Sequence, residues 1–347
     1  METIVIYVAG FFAAAAALWS GRALALRHRY LDRPGGRKQH RGAVPPIGGL
    51  VIIPVFTLLY CLTMPAPAKD WPLFAGLFLL LGAGAYDDRY GIHPWIKFAV
   101  QIIAAALVVF VGGVTVKNLG PLFGGDDLRF YGIGAGIFAL AALVLLINAL
   151  NMMDGLDGLC GGVCAAILIW LIAAATKQQQ PAAIAGALCL LAPLLAFLAF
   201  NMRHPWRERA AVFLGDAGSM TLALIIGWLC LKHAGPPQKI MWPISVAWLL
   251  AVPVMDTLAL FTLRLLKKRH PFSADRNHLH HRFEARGFSV PGTVLSVIGA
   301  VMLTGAIGVV GMWGHIPPAL MAGLWILALA VYITISLRPS ARRTFES

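Results

Sequence analysis

Residues 133–175 read IGAGIFALAALVLLINALNMMDGLDGLCGGVCAAILIWLIAAA. Two apolar runs, 133–150 and 159–175, flank one polar motif, Asn148-Ala-Leu-Asn-Met-Met-Asp-Gly-Leu-Asp-Gly-Leu159. A helix needs roughly 20 mostly apolar residues to span the hydrocarbon of a bilayer. The segment therefore predicts two consecutive membrane helices, with Asp154 and Asp157 where they meet water. Acidic groups at the edge of hydrocarbon are expensive to place, which makes them functional candidates by default.

The rest of the chain has the same character. It is 347 residues long, 59% hydrophobic and 12% charged, with a mean hydropathy of +0.77. A soluble domain carries about one-quarter charged residues. Apolar stretches recur near 3–26, 45–64, 71–87, 95–115, 183–201, 216–233, 240–263, 292–313 and 316–337. The predicted fold class is thus all-α: a polytopic integral membrane protein with about eleven transmembrane helices, forming one transmembrane domain over residues 1–347. The stretch from Ile4 to Leu26 lacks a basic flank and a small-residue cleavage motif, and is read as a retained helix. Cysteines 61, 160, 164, 189 and 230 form no Cys-x-x-Cys pair and read as small core residues.

The net charge of +13 would suit nucleic acid only if it formed a basic face. Here it falls instead in loops, which sets orientation. With the N-terminus outside, the inner loops hold most of the Lys and Arg, chiefly in 22–41 and 264–286. The outer side keeps only Lys69, Lys117, Arg129, Lys177, Lys232 and Lys239. The C-terminus then lies inside. Asp87, Asp88, Asp154, Asp157 and Asp216 all gather at the inner ends of apolar stretches, as does the run from His278 to His281.

These acids sit in distinct motifs. Asp87-Asp88 closes the third stretch; adjacent carboxylates on a helix point about 100° apart and raise one another's pKa, which suits a proton acceptor beside a ligand. An acidic loop start beside Arg89 is the bland reading. Asp154 and Asp157, three apart, share a helical face, with Asn148 and Asn151 adding amide groups. The EF-hand spacing and its terminal Glu are absent, and a plain capped loop stays open. In Phe213-Leu-Gly-Asp-Ala-Gly-Ser219, Asp216 is either a helix cap or a hard oxygen ligand for Mg²⁺ beside a phosphate. His270-Pro-Phe-Ser-Ala-Asp-Arg-Asn-His-Leu-His-His-Arg282 lacks the thiols and the Glu of zinc sites and suits diphosphate donors better. Lys97 and Gln101 share a face at the start of the fourth stretch and are candidate phosphate contacts. Asp256, inside Pro253-Val-Met-Asp, is ambiguous between a site residue and a structural hydrogen-bond partner.

In order, spacing and side of the membrane, these motifs resemble the polyprenyl-phosphate N-acetylhexosamine-1-phosphate transferase family. The resemblance spans nearly the whole chain: Arg37-Lys38 with Pro45-Pro-Ile-Gly-Gly49, the Asp pair, Asn-Met-Met-Asp-Gly-Leu-Asp-Gly-Leu, Gly-Asp-Ala-Gly-Ser and His-Leu-His-His. The nearest branch transfers N-acetylglucosamine-1-phosphate to undecaprenyl phosphate. What it implies is a Mg²⁺-dependent enzyme, with Mn²⁺ as an alternative, at the cytoplasmic face of a bacterial inner membrane. It would use a UDP-N-acetylhexosamine and undecaprenyl phosphate, release UMP and start a lipid-linked cell-surface glycan. Asp216 would bind the metal and Asp87 would deprotonate or position the lipid phosphate, with Asp88 supporting. Asp154 and Asp157 would hold nucleotide or metal. Lys38, Lys97, Asn148, Asn151, Asn201, His278, His280, His281 and Arg282 would contact substrate. Membrane lipid is the expected surrounding, nucleic acid is not a partner, and assembly as a homodimer stays open. Some relatives extend the acidic pair to a third Asp; here Arg89-Tyr90-Gly91 follows. The donor alternative is the muramoyl-pentapeptide branch, which typically carries Thr-Pro-Thr-Met-Gly-Gly and Gly-Asp-Val-Gly-Ser where this chain has Val44-Pro-Pro-Ile-Gly-Gly49 and Gly-Asp-Ala-Gly-Ser. The alternative from another class is a proton-coupled transporter, which would place acids near the midplane and show an internal repeat.

Overall fold

The computed structural model describes residues 2–32, 43–235, 240–268 and 278–337. Lys38 and the segment 270–277 of the His-rich loop lie outside the described residues. Thirteen α-helices follow in order among the described residues: α1 (Glu2–Arg27), α2 (Gly48–Thr63), α3 (Trp71–Tyr90), α4 (Pro94–Ala106), α5 (Gly134–Met153), α6 (Leu159–Lys177), α7 (Pro181–Asn201), α8 (Gly215–His233), α9 (Pro243–Leu249), α10 (Ala251–Leu266), α11 (Leu279–Ala285), α12 (Val290–Trp313) and α13 (Pro318–Leu337). Among the described residues there is no strand, only isolated bridges such as Asp32 with Val44. A helix satisfies its own backbone, which lipid cannot do. Pro94, Pro181 and Pro243 each occupy the first turn of a helix, where the missing N–H would lack a partner anyway.

Each apolar stretch of the sequence contains helix, but two details differ from the expectation. The stretch 240–263 is broken: α9 and α10 meet at 76°. The count of crossings supported by length and composition is also smaller. Among the described residues, seven helices are long and apolar enough to cross a membrane, or eight if the bent pair is one span. The difference lies in α2, only 16 residues long, and in α3 and α8. α3 ends on Asp87-Asp88-Arg89 and α8 opens on Gly-Asp-Ala-Gly-Ser, so neither offers a full apolar length.

α8 needs no such length, because protein surrounds it. Its residues from Ala217 to Cys230 are all buried, packed by α2, α3, α5, α6 and α7. By contrast α1 and α13 leave Trp19, Phe12, Leu324 and Leu327 exposed, as lipid-facing helices do. The start of α8 is where neighbouring backbones come closest. A Cβ on Gly49 of α2 would lie 2.4 Å from the Gly218 Cα, and one on Gly84 of α3 would lie 2.4 Å from the Ala217 Cα. Small residues at such crossings let helices touch through dispersion where the hydrophobic effect gives no drive. Backbone bonds fasten the same corner: Gly48 N donates to Phe213 O (2.9 Å), Gly49 N to Leu214 O (3.1 Å) and Phe213 N to Pro45 O (2.9 Å). The Pro-Pro-Ile-Gly-Gly and Phe-Leu-Gly-Asp motifs are thus one structural unit. Its product is a fixed position for Asp216.

Candidate active site

α3, α4 and α8 end together, and one ammonium joins them. Lys97, in the first turn of α4, stands 2.9 Å from Asp87 Oδ2 of α3 and 2.9 Å from Asp216 Oδ2 of α8. The turn between α3 and α4 brings it there. Gly91 takes φ +77°, a region glycine enters at little cost. Ile92 N then donates to Asp87 Oδ1 at 2.7 Å. The other oxygen of Asp216 accepts from Asn151 Nδ2 at 2.5 Å, and the same amide donates to Ser219 Oγ at 2.8 Å. Asp216 is therefore no cap of its own helix; α8 has no side-chain cap from its preceding residue. Asp88 fills that role from α3, accepting from Asp216 N at 2.8 Å and Ala217 N at 3.3 Å.

The loop between α5 and α6 divides the predicted residues by task. Asp154 closes α5; burial, with Asp216, Asp88 and Asp157 nearby, holds its carboxyl well above the usual carboxylate range. Among the described residues that carboxylate accepts no hydrogen bond. Asp157 instead faces outward from the cluster. It accepts from Arg203 Nε at 2.7 Å and from Ala210 N at 3.3 Å, which ties the loop to the segment after α7. Asn201 is buried and acts as a clamp: Gly158 N donates to its Oδ1 at 2.6 Å, and its Nδ2 donates to Val212 O at 2.8 Å. Asn148 Nδ2 donates to Gln101 Oε1 at 2.7 Å, so Gln101 is buried against α5 and supports the site from behind.

The His-rich helix α11 packs on this loop. His280 covers Gly155, where a Cβ would lie 2.6 Å from His280 Nε2. Burial, with His281 and His278 beside it, pushes His280 down to about 3, so the ring is neutral. Asp256 on α10 organises the helix start: it takes His278 Nδ1 at 3.0 Å, Leu279 N at 3.0 Å and Tyr332 O–H at 2.7 Å. Asp256 is thus the hydrogen-bond partner of the two readings left open by the sequence. His281 Nδ1 meets Glu284 at 3.1 Å. The guanidinium of Arg282 is directed elsewhere than the cluster, donating to Ser336 O (2.9 Å) and Ile335 O (2.7 Å) at the C-terminal end of α13. A cation there meets carbonyls that the helix leaves without partners. Sequence spacing could not reveal this, because Arg282 and α13 are brought together only by the tertiary fold.

A cavity of about 630 Å³ opens on the cluster. Asp87, Asp88 and Asp216 line one part, and Arg29, Tyr30, Asp32 and Arg89 line another. Sequence reasoning missed these last four residues and Ser219. The one signal of the four cavity residues is position, in the basic segment after α1 and beside the acid pair; that of Ser219 is its place at the end of the Gly-Asp-Ala-Gly-Ser motif. The arrangement gathers Asp88 and Asp154 close to Asp216, which Lys97 bridges to Asp87. Excess carboxylate with an uncommitted Asp154 fits a hard divalent cation, which takes one or two carboxylates and completes its shell with phosphate oxygens and water. The protein alone does not complete such a shell, since no group of three His, Cys, Asp or Glu among the described residues stands in ligating geometry. Chemically, the site can bind a polyanion through a cation and move a proton at Asp87.

Comparison with known proteins gives a consistent picture. The family described as glycosyl transferase family 4 matches residues 71–234, the stretch containing Asp87, Lys97, Asp154 and Asp216. Undecaprenyl-phosphate alpha-N-acetylglucosaminyl 1-phosphate transferase of Pasteurella multocida (strain Pm70) is 30% identical over 311 residues, covering 90% of this chain and 87% of its own. The protein of that description from Haemophilus influenzae (strain ATCC 51907 / DSM 11121 / KW20 / Rd) is 31% identical, covering 86% and 84%. That from Yersinia pestis is 30% identical, covering 96% and 90%.

Proposed function

The chain belongs to glycosyl transferase family 4, and from that premise we propose that it transfers N-acetylglucosamine-1-phosphate from its UDP-sugar to undecaprenyl phosphate, releasing UMP. The observation that carries the reading is the bridge of Lys97 between Asp87 and Asp216, beside an Asp154 with no partner among the described residues. In the reaction an oxygen of the lipid phosphate attacks the sugar-bearing phosphorus of the donor. The bond from that phosphorus to the oxygen bridging to UMP breaks, and UMP departs with the bonding electrons. Such a transfer asks mainly for positioning and charge neutralisation.

Asp87 would take the proton of the acceptor phosphate, or hold that phosphate once ionised. Lys97 keeps Asp87 and Asp216 apart in charge and offers a cation to phosphate oxygens. Asp216 and Asp154 would hold Mg²⁺, or Mn²⁺ in its place, and the cation would neutralise developing charge on the diphosphate. Asp157, committed to Arg203, would shape the loop. His280 and Asn201 would fix the same loop from two sides. The lipid acceptor accounts for a site at the ends of apolar helices, where a phosphate reaches the acids while its chain stays in hydrocarbon. The basic inner loops support a cytoplasmic-facing site in a bacterial inner membrane.

Purified protein in detergent, given undecaprenyl phosphate, Mg²⁺ and a panel of UDP-sugars, tests the reading through UMP release. UDP-N-acetylglucosamine should be turned over and the muramoyl-pentapeptide donor rejected, because a site whose polar groups match one sugar leaves them unpaired with another. Preference for the muropeptide donor would overturn the branch assignment, and no UMP from any donor would overturn the reaction class.

A further inference from the structure

Asp88 is held differently from its neighbour. Successive residues on a helix point about 100° apart, so Asp87 turns to Lys97 on α4 while Asp88 turns to α8. Both Asp88 oxygens are engaged by backbone amides, those of Asp216 and Ala217. The seat is cut to the carboxylate: Gly215 takes φ +75°, and a Cβ there would lie 2.5 Å from Asp88 Oδ2. Leu214, the residue preceding α8, has no side-chain oxygen to offer these amides, and no side chain of α8's own leading residue caps it. Among the described residues, the charge accepting them comes from another helix.

We propose that Asp88 is a positioning residue rather than a metal ligand or a base. It ties the last turn of α3 to the first turn of α8, and thereby fixes how Asp87 and Asp216 face each other across Lys97. The tie is short on both sides: Asp88 is the chain neighbour of Asp87, and one of its two donors is the amide of Asp216 itself. A displaced helix start would carry the Asp216 carboxylate away from Lys97 and Asn151 together. The inference rests on the phosphotransfer reading for its catalytic consequence, though not for the tie itself.

The test uses the full-length protein in detergent, with wild type, Asp88→Asn, Asp88→Ala, Gly215→Ala and the double variant Asp88→Ala/Gly215→Ala. Asp88→Ala should lower kcat for UMP release about 100-fold, the cost of a misplacement on the order of 1 Å. Its donor KM should stay within about twofold of wild type, while half-saturating Mg²⁺ should rise, because the Asp216 carboxylate moves with its helix start. Asp88→Asn keeps an oxygen for the Asp216 amide, and Asn is as good a cap as Asp; it should lose only about tenfold, recovering much of what Ala loses. A role in stability alone would leave kcat per folded molecule unchanged in every variant and would sink the proposal. Recovery of the wild-type kcat by Asp88→Ala at saturating Mg²⁺ would mark a ligand, and Asn as inactive as Ala would mark a base; either overturns it. The melting temperatures of the cycle test the tie without any turnover. A methyl at Gly215 disrupts the same seat besides straining the positive φ, so the combined loss should fall short of the sum of the two, and additive losses would refute the contact. Wild type that releases no UMP would instead overturn the reaction reading, and with it the catalytic half of this one.

Discussion

Replacing Lys97 with Gln removes one cation from between two carboxylates, and the structure sets the size of the effect. Each N–O distance is 2.9 Å, and the side chains are 19%, 12% and 34% exposed for Lys97, Asp87 and Asp216. At an effective dielectric near 20, a pair of unit charges at about 4 Å attracts by roughly 4 kcal/mol. Two such pairs are opposed by the desolvation of the lysine, and Asp216 is one-third exposed, so its share is screened. Breaking a buried pair by removing one partner costs about 3–5 kcal/mol; discounting for exposure leaves about 2–3 kcal/mol. For a chain of this size that corresponds to a melting temperature lower by about 3–4 °C in metal-free buffer. The site also becomes more negative by one charge. Mg²⁺ should therefore raise the melting temperature of Lys97→Gln more than that of wild type, while UMP release stays largely abolished. Thermal unfolding in detergent, with EDTA and then with Mg²⁺, reads both effects. A variant that melts like wild type without metal, and gains no more from Mg²⁺, would refute the bridge as the organiser of this cluster.

Two further expectations concern the His-rich helix and the membrane orientation. His280 is pushed down to about 3 from an ordinary value near 6.5, so the unfolded chain binds a proton that the folded one does not, and stability should fall as pH drops below about 6.5. At pH 5.5 the loss from this group is about 1 kcal/mol; wild type should lose more melting temperature between pH 7.5 and 5.5 than His280→Gln, and equal losses would contradict a buried neutral ring. For orientation, a cysteine introduced at Gly124 in a Cys61→Ser background should react with an impermeant thiol reagent in intact cells, and one at Arg209 only after permeabilisation. The reverse pattern would place the active-site loops on the wrong face.

The amino-acid sequence alone determines that this chain is helical and membrane-embedded, because apolar length and period are local properties that every stretch displays separately. It also marks the acids, since a carboxylate at the end of an apolar run is conspicuous without any knowledge of its partners. Tasks are another matter. Asp87 and Asp88 are indistinguishable as letters, yet one meets Lys97 and the other holds the start of α8. Asp154 and Asp157 share a motif, yet one has no partner among the described residues and the other is paired with Arg203. Asp216 could cap its own helix until Asp88 is seen doing so, and Arg282 looks like a phosphate contact until α13 is seen beneath it. Hydropathy alone does not set the number of crossings, for a related reason: α8 is enclosed by other helices, so its neighbours decide its place. Hydrogen-bond partners, burial and separations are set by residues tens or hundreds of positions away. No local pattern carries that information, and only the packing of the helices supplies it.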